Sequence, residues 1–210
     1  MKIIEASYTI ESEINGMEIL RQIEKVGRTC YKSEDKITND SAIKFVAGLI
    51  KRGHEAMIEH NCLSVRFICD RGVSHELVRH RLASFGQEST RYCNYSSDKF
   101  GNEITVIQPL FFDSMGNPAL YLIWVKAMED AEKHYFKLLE YEATAQEART
   151  VLPNSLKTEI VVTMNLREWR HFFKLRTESV AHPQMRELTI PLLIELKTLI
   201  PVIFDDIMVK

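Results

Sequence analysis

The segment 61–70 constrains the fold of this chain more than any other stretch of its sequence. Apolar residues fall at every second position along it, namely Leu63, Val65, Phe67 and Cys69. Ser64, Arg66 and Asp70 take the opposite side. Successive side chains of a β-strand point to opposite faces of a sheet, so this pattern predicts a half-buried strand.

Most of the remaining sequence has helical spacing of its apolar residues. It predicts helices over 13–28, 38–53, 71–82, 117–142, 166–176 and 182–200. In the 117–142 helix, the apolar stripe includes Leu120, Ile123, Trp124, Met128, Ala131, Tyr135, Leu138 and Leu139. Segment 2–10 predicts a first strand and 102–112 a strand or extended chain, whereas 156–165 fits a short strand or a buried connector. Because strands and helices do not alternate regularly, the predicted fold class is α+β and helix-rich.

Composition and charge limit the function. The chain has 210 residues, 45% of them hydrophobic, so it can bury a core as one large domain or two small ones. Its net charge of −2 argues against a general nucleic-acid binder. No apolar run is long enough to span a bilayer, and the start lacks the apolar core of a signal peptide. Cysteines at Cys30, Cys62, Cys69 and Cys93 form no C-x-x-C pair, which favours free thiols in the cytoplasm.

The segment 79–96 concentrates cations and hydrogen-bonding groups in one place. Arg79, His80 and Arg81 lie at the end of a predicted helix, where cations interact favourably with the helix dipole. The following segment 84–91 adds three hydroxyls, Gly86 for an unusual backbone angle, and Arg91. Such a loop with arginines on both sides can bind a phosphate. From these residues alone, a solvated helix end and a phosphate site both remain open.

A wider set of motifs resembles one known family. Arg79-His80-Arg81, then seven residues, then Ser89, is similar to the signature of flavin-dependent thymidylate synthases. Three further segments match that family in the same order: GHEAMIEH at 53–60, ARTVLP at 148–153 and NLREWRHFFKLR at 165–176. Glycine-rich nucleotide-binding motifs are absent from the sequence, so side chains must hold any nucleotide.

The resemblance implies a fold and an activity. The fold is a single domain over residues 1–210 with a central, mostly antiparallel sheet. The activity is conversion of dUMP to dTMP, with 5,10-methylenetetrahydrofolate as one-carbon donor, reduced FAD as hydride donor and NADPH as reductant of the flavin. The resemblance also implies a homotetramer with active sites where subunits meet. It implies no metal, and we expect neither nucleic acid nor membrane as a partner.

Site residues follow from the same resemblance, position by position. Arg176 matches the residue that favours ionisation at uracil N3 and is therefore the catalytic candidate. Ser89, Thr90 and Arg91 match the phosphate cradle of dUMP, with Arg149 arriving from another subunit. Further substrate positions are Glu76, Arg79, Gln87 and Glu88. The cofactor positions are His54, Glu59, Arg79, His80, Arg81, Gln87, Asn165, Arg167 and His171.

Several positions depart from the usual family pattern. Gln87 stands where many relatives have an acid, Glu76 where glutamine is frequent, Ala56 in place of a hydroxyl residue and His171 in place of an asparagine. Altered contacts are expected at these four positions. Cys93 is interpreted as a packed thiol, because flavin-driven hydride transfer needs no cysteine nucleophile.

Two other functions remain as alternatives. The arginine-rich segment with its flanking tyrosines also fits a module that binds nucleotides or RNA without redox chemistry. A metal-dependent hydrolase built on His54, Glu59 and His60 is the third interpretation. These residues lack the H-E-x-x-H spacing of a helical zinc site.

Overall fold

The computed structural model describes residues 1–112 and 115–209. The helices are α1 Gly16–Thr29, α2 Ser41–Lys51, α3 Arg71–Leu77, α4 Pro118–Glu140, α5 Ala145–Ala148, α6 Leu166–Arg176 and α7 Pro183–Leu199. The strands are β1 Lys2–Ile4, β2 Ser7–Ile10, β3 Cys62–Asp70, β4 Ala83–Gln87, β5 Thr105–Ile107 and β6 Lys157–Asn165. Short 3₁₀ turns span Glu34–Lys36, Glu55–His60, Asp98–Phe100 and Arg149–Val151.

The fold is α+β and helix-rich, which confirms the predicted class. A four-stranded sheet has the order β2-β3-β6-β4, and β1 pairs in parallel with β5. The parallel register sets Lys2 opposite Thr105 and Ile4 opposite Ile107. Strand β3 has the alternating burial that its sequence predicts, and β6 alternates in the same way. The ambiguous segment 156–165 is therefore a strand with one buried face.

Contacts group the chain into two compact units, each made of three sequence segments. The first unit contains Met1–Ser7, Phe67–Arg79 and Gly86–Val161. The second unit contains Tyr8–Arg66, His80–Phe85 and the chain from Val162 onward. A single domain over the whole chain stays a prediction.

Aromatic side chains dominate the core of each unit. In the first unit, Trp124 and Tyr135 of α4 pack with Tyr95 and with Val106 of β5. In the second unit, Trp169, Phe172 and Phe173 of α6 form a buried aromatic cluster with Phe204 of the C-terminal turn. Buried aromatic pairs of this kind hold a helix in one orientation. Helix α6 therefore has a fixed rotation about its axis.

Helix ends follow local sequence signals. Asn15, Asn117 and Asn165 each accept a hydrogen bond from the first turn of the following helix. Pro183 stands at the first position of α7, as predicted. Gly53 follows the end of α2 with a left-handed φ of 70°, which confirms its predicted role in ending that helix.

The structure corrects five expectations. The segment 2–10 forms two strands rather than one, and α3 ends at Leu77, so the Arg79–Arg81 motif lies beyond the helix. The hydroxyl-rich loop begins as strand β4, because 83–87 adds to the edge of the sheet, and Gly86 has no positive φ. Leu120 and Ile123 of α4 are exposed rather than buried.

In residues 1–112 and 115–209 there is no helix with the length and apolarity needed to cross a bilayer.

Candidate active site

Helix α6 supplies the central residues of the candidate site in the second unit. It begins directly after β6, where Asn165 Oδ1 accepts a hydrogen bond of 2.8 Å from the Glu168 amide. Its apolar side is buried through Leu166, Trp169, Phe172 and Phe173. Outside this apolar side, Arg167 and Glu168 each lie one turn before His171.

A buried histidine holds the candidate catalytic arginine. Arg176 Nε donates a hydrogen bond of 3.0 Å to His80 Nε2. His80 is only 5% exposed, and its Nδ1 lies 3.4 Å from Glu168 Oε1. Burial lowers the pKa of His80 to about 4, with further lowering by the charges of Arg176 and His171. His80 is therefore neutral near pH 7, and its contact with Glu168 is not an ion pair.

The tautomer of His80 follows from these contacts. Because Nε2 accepts from Arg176, the single proton of the neutral ring lies on Nδ1 and faces Glu168. The pKa of Glu168 is also raised, because burial disfavours the charged carboxylate more than nearby His171 stabilises it. Carboxylate, imidazole and guanidinium thus form a chain of contacts from Glu168 to Arg176.

The same residues raise the question of a metal. In the part of the chain that the structure describes, His80, Glu168 and His171 bring potential ligand atoms within 4.8 Å of one another. A metal on His80 Nδ1 would move the ring proton to Nε2, where it would face the N–H of Arg176. This arrangement therefore fits the positioning of Arg176 and does not fit metal ligation. Glu59, which the hydrolase interpretation used as a ligand, is paired with Arg167.

A cavity of about 570 Å³, lined mostly by charged and polar residues, lies beside these residues in the second unit. Its lining consists of Glu55, Glu59, Leu82, Asn165, Arg167, Glu168, His171 and Lys174. Arg167 Nη1 donates a 2.5 Å hydrogen bond to Glu59 Oε1, which raises the pKa of Arg167. Both partners are largely exposed, and such surface pairs contribute only about 0–1 kcal/mol. An incoming anion can therefore take the place of Glu59 at little cost.

This lining fits a dinucleotide flavin. Arg167 and Lys174 are cations suited to a diphosphate, and the carboxylates of Glu59 and Glu168 can accept hydrogen bonds from hydroxyl groups. Leu82 is 73% exposed and gives the cavity an apolar surface. The volume of the cavity lies in the usual range of roughly 300–1,000 Å³ for ligand sites.

Arg170 differs from its neighbour Arg167 because it is structural. Its guanidinium is buried and bonds Asp206 at 2.6 and 2.8 Å, Glu55 at 3.0 Å and the carbonyl of Ile203. These contacts tie α6 to the C-terminal turn and to the 3₁₀ turn Glu55–His60. Arg170 therefore stabilises the wall of the cavity.

The phosphate-cradle candidates lie together in the first unit. Arg149 Nη1 donates a hydrogen bond of 3.3 Å to Thr90 Oγ1 of the same chain. Ser89 Oγ accepts from the Arg91 amide at 3.3 Å, and the Arg91 guanidinium lies over the Tyr92 ring at 5.4 Å. A cavity of about 250 Å³ adjoins Thr90 and Arg149. Arg149, expected from another subunit, thus already reaches the cradle of its own chain.

Gln87 and Glu88 have partners inside the first unit. Gln87 Nε2 donates to Ser74 Oγ at 3.0 Å and to Thr158 Oγ1 at 3.2 Å. The Glu88 carboxylate accepts from Tyr95 Oη at 3.0 Å and from Lys157 Nζ at 2.9 Å. Glu88 therefore anchors the start of the cradle segment to β6.

Comparison with known proteins identifies the family. The family model described as thymidylate synthase complementing protein matches residues 14–202. A flavin-dependent thymidylate synthase of Corynebacterium efficiens is 33% identical over 98% of this chain and 85% of the relative. The chain belongs to the flavin-dependent thymidylate synthase family. Enzymes of the same name from Corynebacterium aurimucosum and Geobacter sulfurreducens are 36% and 32% identical over 88% and 85% of this chain, and over 78% of each relative.

A solved structure shares the fold of this thymidylate synthase family member. It is the UMP/dUMP methylase PolB from Streptomyces cacaoi, bound with 5-Br dUMP. The TM-score is 0.79 at 21% sequence identity, and the match covers 98% of this chain and 96% of that one. The shared architecture confirms the fold that the motifs implied.

The predicted site residues of this thymidylate synthase fall into two groups, each inside one unit. His80, His171, Asn165, Arg167, Glu59 and Arg176 lie together in the second unit, whereas Ser89, Thr90, Arg91 and Arg149 lie together in the first. Arg79 and Arg81 are exposed on either side of buried His80. His54 is exposed before the turn Glu55–His60, and Glu76 lies in the last turn of α3.

Sequence reasoning missed several residues near these groups. Glu168, Lys174, Glu55 and Leu82 line the cavity beside α6, and Arg71 and His75 line the cavity beside Thr90. Glu168 had a detectable signal, since it lies three residues before His171 on a predicted helix. Arg71 had none, because it lies far in sequence from Thr90 and Arg149.

Proposed function

We propose that this enzyme converts dUMP to dTMP in dTMP biosynthesis, with 5,10-methylenetetrahydrofolate as one-carbon donor and FAD as the flavin. Membership of the flavin-dependent thymidylate synthase family supports the reaction. NADPH is proposed as the reductant of the flavin, and the cytoplasm as the location. The observation that carries the proposal is the arginine Arg176 held by a buried, neutral histidine.

Arg176 has the chemistry that the methyl-transfer step needs. Carbon C5 of uracil is a weak nucleophile unless negative charge develops on the ring. A guanidinium stays protonated at any physiological pH and stabilises such charge in a site that excludes water. His80 keeps the Nε side of Arg176 occupied and orients the group. Because His80 is neutral, it adds no second positive charge that would repel the guanidinium.

The flavin site is assigned to the cavity lined by α6. Asn165, Arg167 and His171 would hold FAD together with Glu59, and His54, His80 and Arg81 of the same unit are proposed as further flavin residues. Arg79 and Gln87, which belong to the first unit, are also proposed as flavin residues. When bound, the reduced flavin supplies the hydride. Arg167 would exchange its exposed partner Glu59 for a phosphate oxygen, which forms a stronger, charge-assisted pair.

The substrate phosphate is assigned to Ser89, Thr90, Arg91 and Arg149. Thr90 is 8% exposed and Arg149 Nη1 donates to it, which fixes the guanidinium next to the cradle. Glu76, Arg79, Gln87 and Glu88 are proposed as further residues around the nucleotide. The internal bonds of Gln87 and Glu88 would hold the cradle segment in place.

A homotetramer with active sites between subunits is part of the proposal. Helix α4 exposes neighbouring apolar side chains, with Leu120 44%, Leu122 64% and Ile123 67% exposed. Exposed apolar side chains grouped in the first turns of one helix are suited to a surface that another chain covers. Small-molecule substrates are the proposed partners, and the net charge of −2 gives no support to nucleic acid.

One experiment tests the function and its catalytic residue together. The purified protein should show a flavin absorption spectrum and should release hydrogen from C5 of dUMP when methylenetetrahydrofolate and NADPH are present. Arg176→Ala should lower that rate about 10²- to 10³-fold while FAD stays bound, because only charge stabilisation in the transition state is lost.

The control variant is Arg21→Ala on α1, where Arg21 forms an exposed pair with Glu18 at 3.5 Å. It should keep the wild-type rate. A protein that takes up no flavin would contradict the proposed function. A wild-type rate in Arg176→Ala would contradict only the role of Arg176.

A further inference from the structure

Arg71 has an unsatisfied polar atom in a buried position. Its Nη1 is buried and has no hydrogen-bond partner among the described residues. A buried donor without a partner is unfavourable, and more so when the group is charged. The main chain of Arg71 is held in place, because its backbone amide donates a 2.9 Å hydrogen bond to the carbonyl of Asn154. Such an atom indicates a ligand that completes the site.

The surroundings of Arg71 show which ligand fits. The cavity of about 250 Å³ that Arg71 lines also contains His75, Thr90, Arg149 and Thr150 in its walls. We call it the Arg71 cavity. Among the described residues that line it there is no Asp or Glu. Two guanidinium groups in one cavity repel each other unless an anion lies between them.

Geometry and chemistry together point to a phosphate group. Arginine binds phosphate oxygens through two parallel N–H groups, and threonine hydroxyls add neutral donors. Thr90 Oγ1 already marks one edge of the cavity, since it accepts from Arg149 Nη1 at 3.3 Å. A group with several acceptor oxygens and two negative charges can satisfy both arginines at once.

We propose that Arg71 is a phosphate-binding residue, which binds the 5′-phosphate of the nucleotide substrate in the cavity that it shares with Arg149. This inference rests on the proposed function, and it adds a guanidinium to the cradle formed by Ser89, Thr90, Arg91 and Arg149. The Arg71 cavity selects a phosphate monoester dianion over the uncharged nucleoside. Substrate recognition therefore depends on the first residue of α3 as well as on the segment after β4.

The test compares Arg71→Met with wild-type holoenzyme. Methionine has a similar length but neither charge nor donors. Titration calorimetry should show about 10- to 100-fold weaker binding of dUMP, since a charge-assisted hydrogen bond and one positive charge are lost. Affinity for 2′-deoxyuridine and for FAD should not change. Arg71→Lys should recover part of the dUMP affinity, and the Arg21→Met control should bind dUMP like the wild type.

Thermal unfolding gives a second readout that a merely structural role would not produce. Without ligand, Arg71→Met should unfold at the same or a higher temperature, because the substitution removes an unsatisfied buried donor. Inorganic phosphate should raise the unfolding temperature of the wild type more than that of Arg71→Met.

The outcomes separate this inference from the proposed function. Equal dUMP affinity in wild type and Arg71→Met overturns the inference and leaves the function intact. An equal loss of FAD and dUMP affinity overturns the assignment to the substrate phosphate. If the wild type binds no dUMP but binds inorganic phosphate through Arg71, the anion site stands and the proposed function fails.

Discussion

His80 is the residue whose surroundings most affect the proposed chemistry. It lies between exposed Arg79 and Arg81, yet its own side chain is only 4% exposed and accepts a hydrogen bond from Arg176. The role of Nε2 is to accept the hydrogen bond that the Arg176 guanidinium donates. The residue therefore positions Arg176 and does not itself need to contact substrate.

Substitution of His80 tests this positioning role. His80→Leu removes the acceptor and should lower kcat about 10- to 100-fold, since small misplacements of a catalytic group are costly. His80→Gln keeps a side-chain acceptor and should retain more activity than His80→Leu. KM for dUMP should change less than kcat in both. Steady-state kinetics at saturating flavin measures this, and equal rates for the two variants would contradict the role of the acceptor.

The same histidine also links stability to pH. Its pKa is about 4 in the folded chain, below the ordinary value of 6.5, because burial disfavours the charged ring. Between these two pH values the unfolded chain binds a proton that the folded chain does not, so the contribution of His80 to stability falls as pH falls. Urea unfolding at pH 7 and pH 4.5 should show a smaller loss for His80→Gln than for the wild type.

Helix ends show how an element depends on a single backbone angle. Gly53 ends α2 at a φ of 70°, and a Cβ there would meet nothing within 4 Å. Gly53→Ala should lower the free energy of unfolding by about 1–2 kcal/mol, through backbone strain alone. Chemical denaturation checks this value.

Gly86 supplies the matched control at the level of a strand. It lies in β4 without a positive φ, and a Cβ there also meets nothing within 4 Å. Gly86→Ala should leave the free energy of unfolding unchanged or raise it slightly, since glycine is entropically costly inside a strand. Destabilisation of equal size in both variants would show that φ is not the cause.

At the scale of the whole molecule, the proposed sharing of active sites between subunits is testable by mixing. If one site takes Arg149 from one copy and Arg176 from another, each single Ala variant is inactive. Mixed oligomers of the two variants then contain some sites with both arginines intact. For randomly mixed pairs, activity should return to roughly a quarter of the wild-type value.

The assay is dTMP formation after the two variants are co-refolded or co-expressed. Each variant alone, treated in the same way, serves as the baseline. No recovery in the mixture would mean that both arginines act from one copy of the chain. Recovery above the baseline supports active sites formed between copies.

Local sequence signals predicted the elements that depend on nearby residues. The alternation in 61–70 predicted β3, the spacing in 166–176 predicted α6, and Pro183 marked the start of α7. Such elements follow from side-chain periodicity and end residues, which are properties of adjacent positions. The four ordered motifs likewise identified the family, because they are sequence patterns.

Long-range contacts decided the rest. Strand β4 exists because 83–87 pairs at the edge of a sheet, although its residues resemble a loop. Leu120 and Ile123 share the stripe of Trp124 but are exposed, because burial depends on what packs against a helix. Periodicity could not tell which of Arg79, His80 and Arg81 is buried. The sequence by itself therefore determined the family and most elements, whereas the tertiary structure alone brought Arg71 to Arg149 and His80 to Arg176.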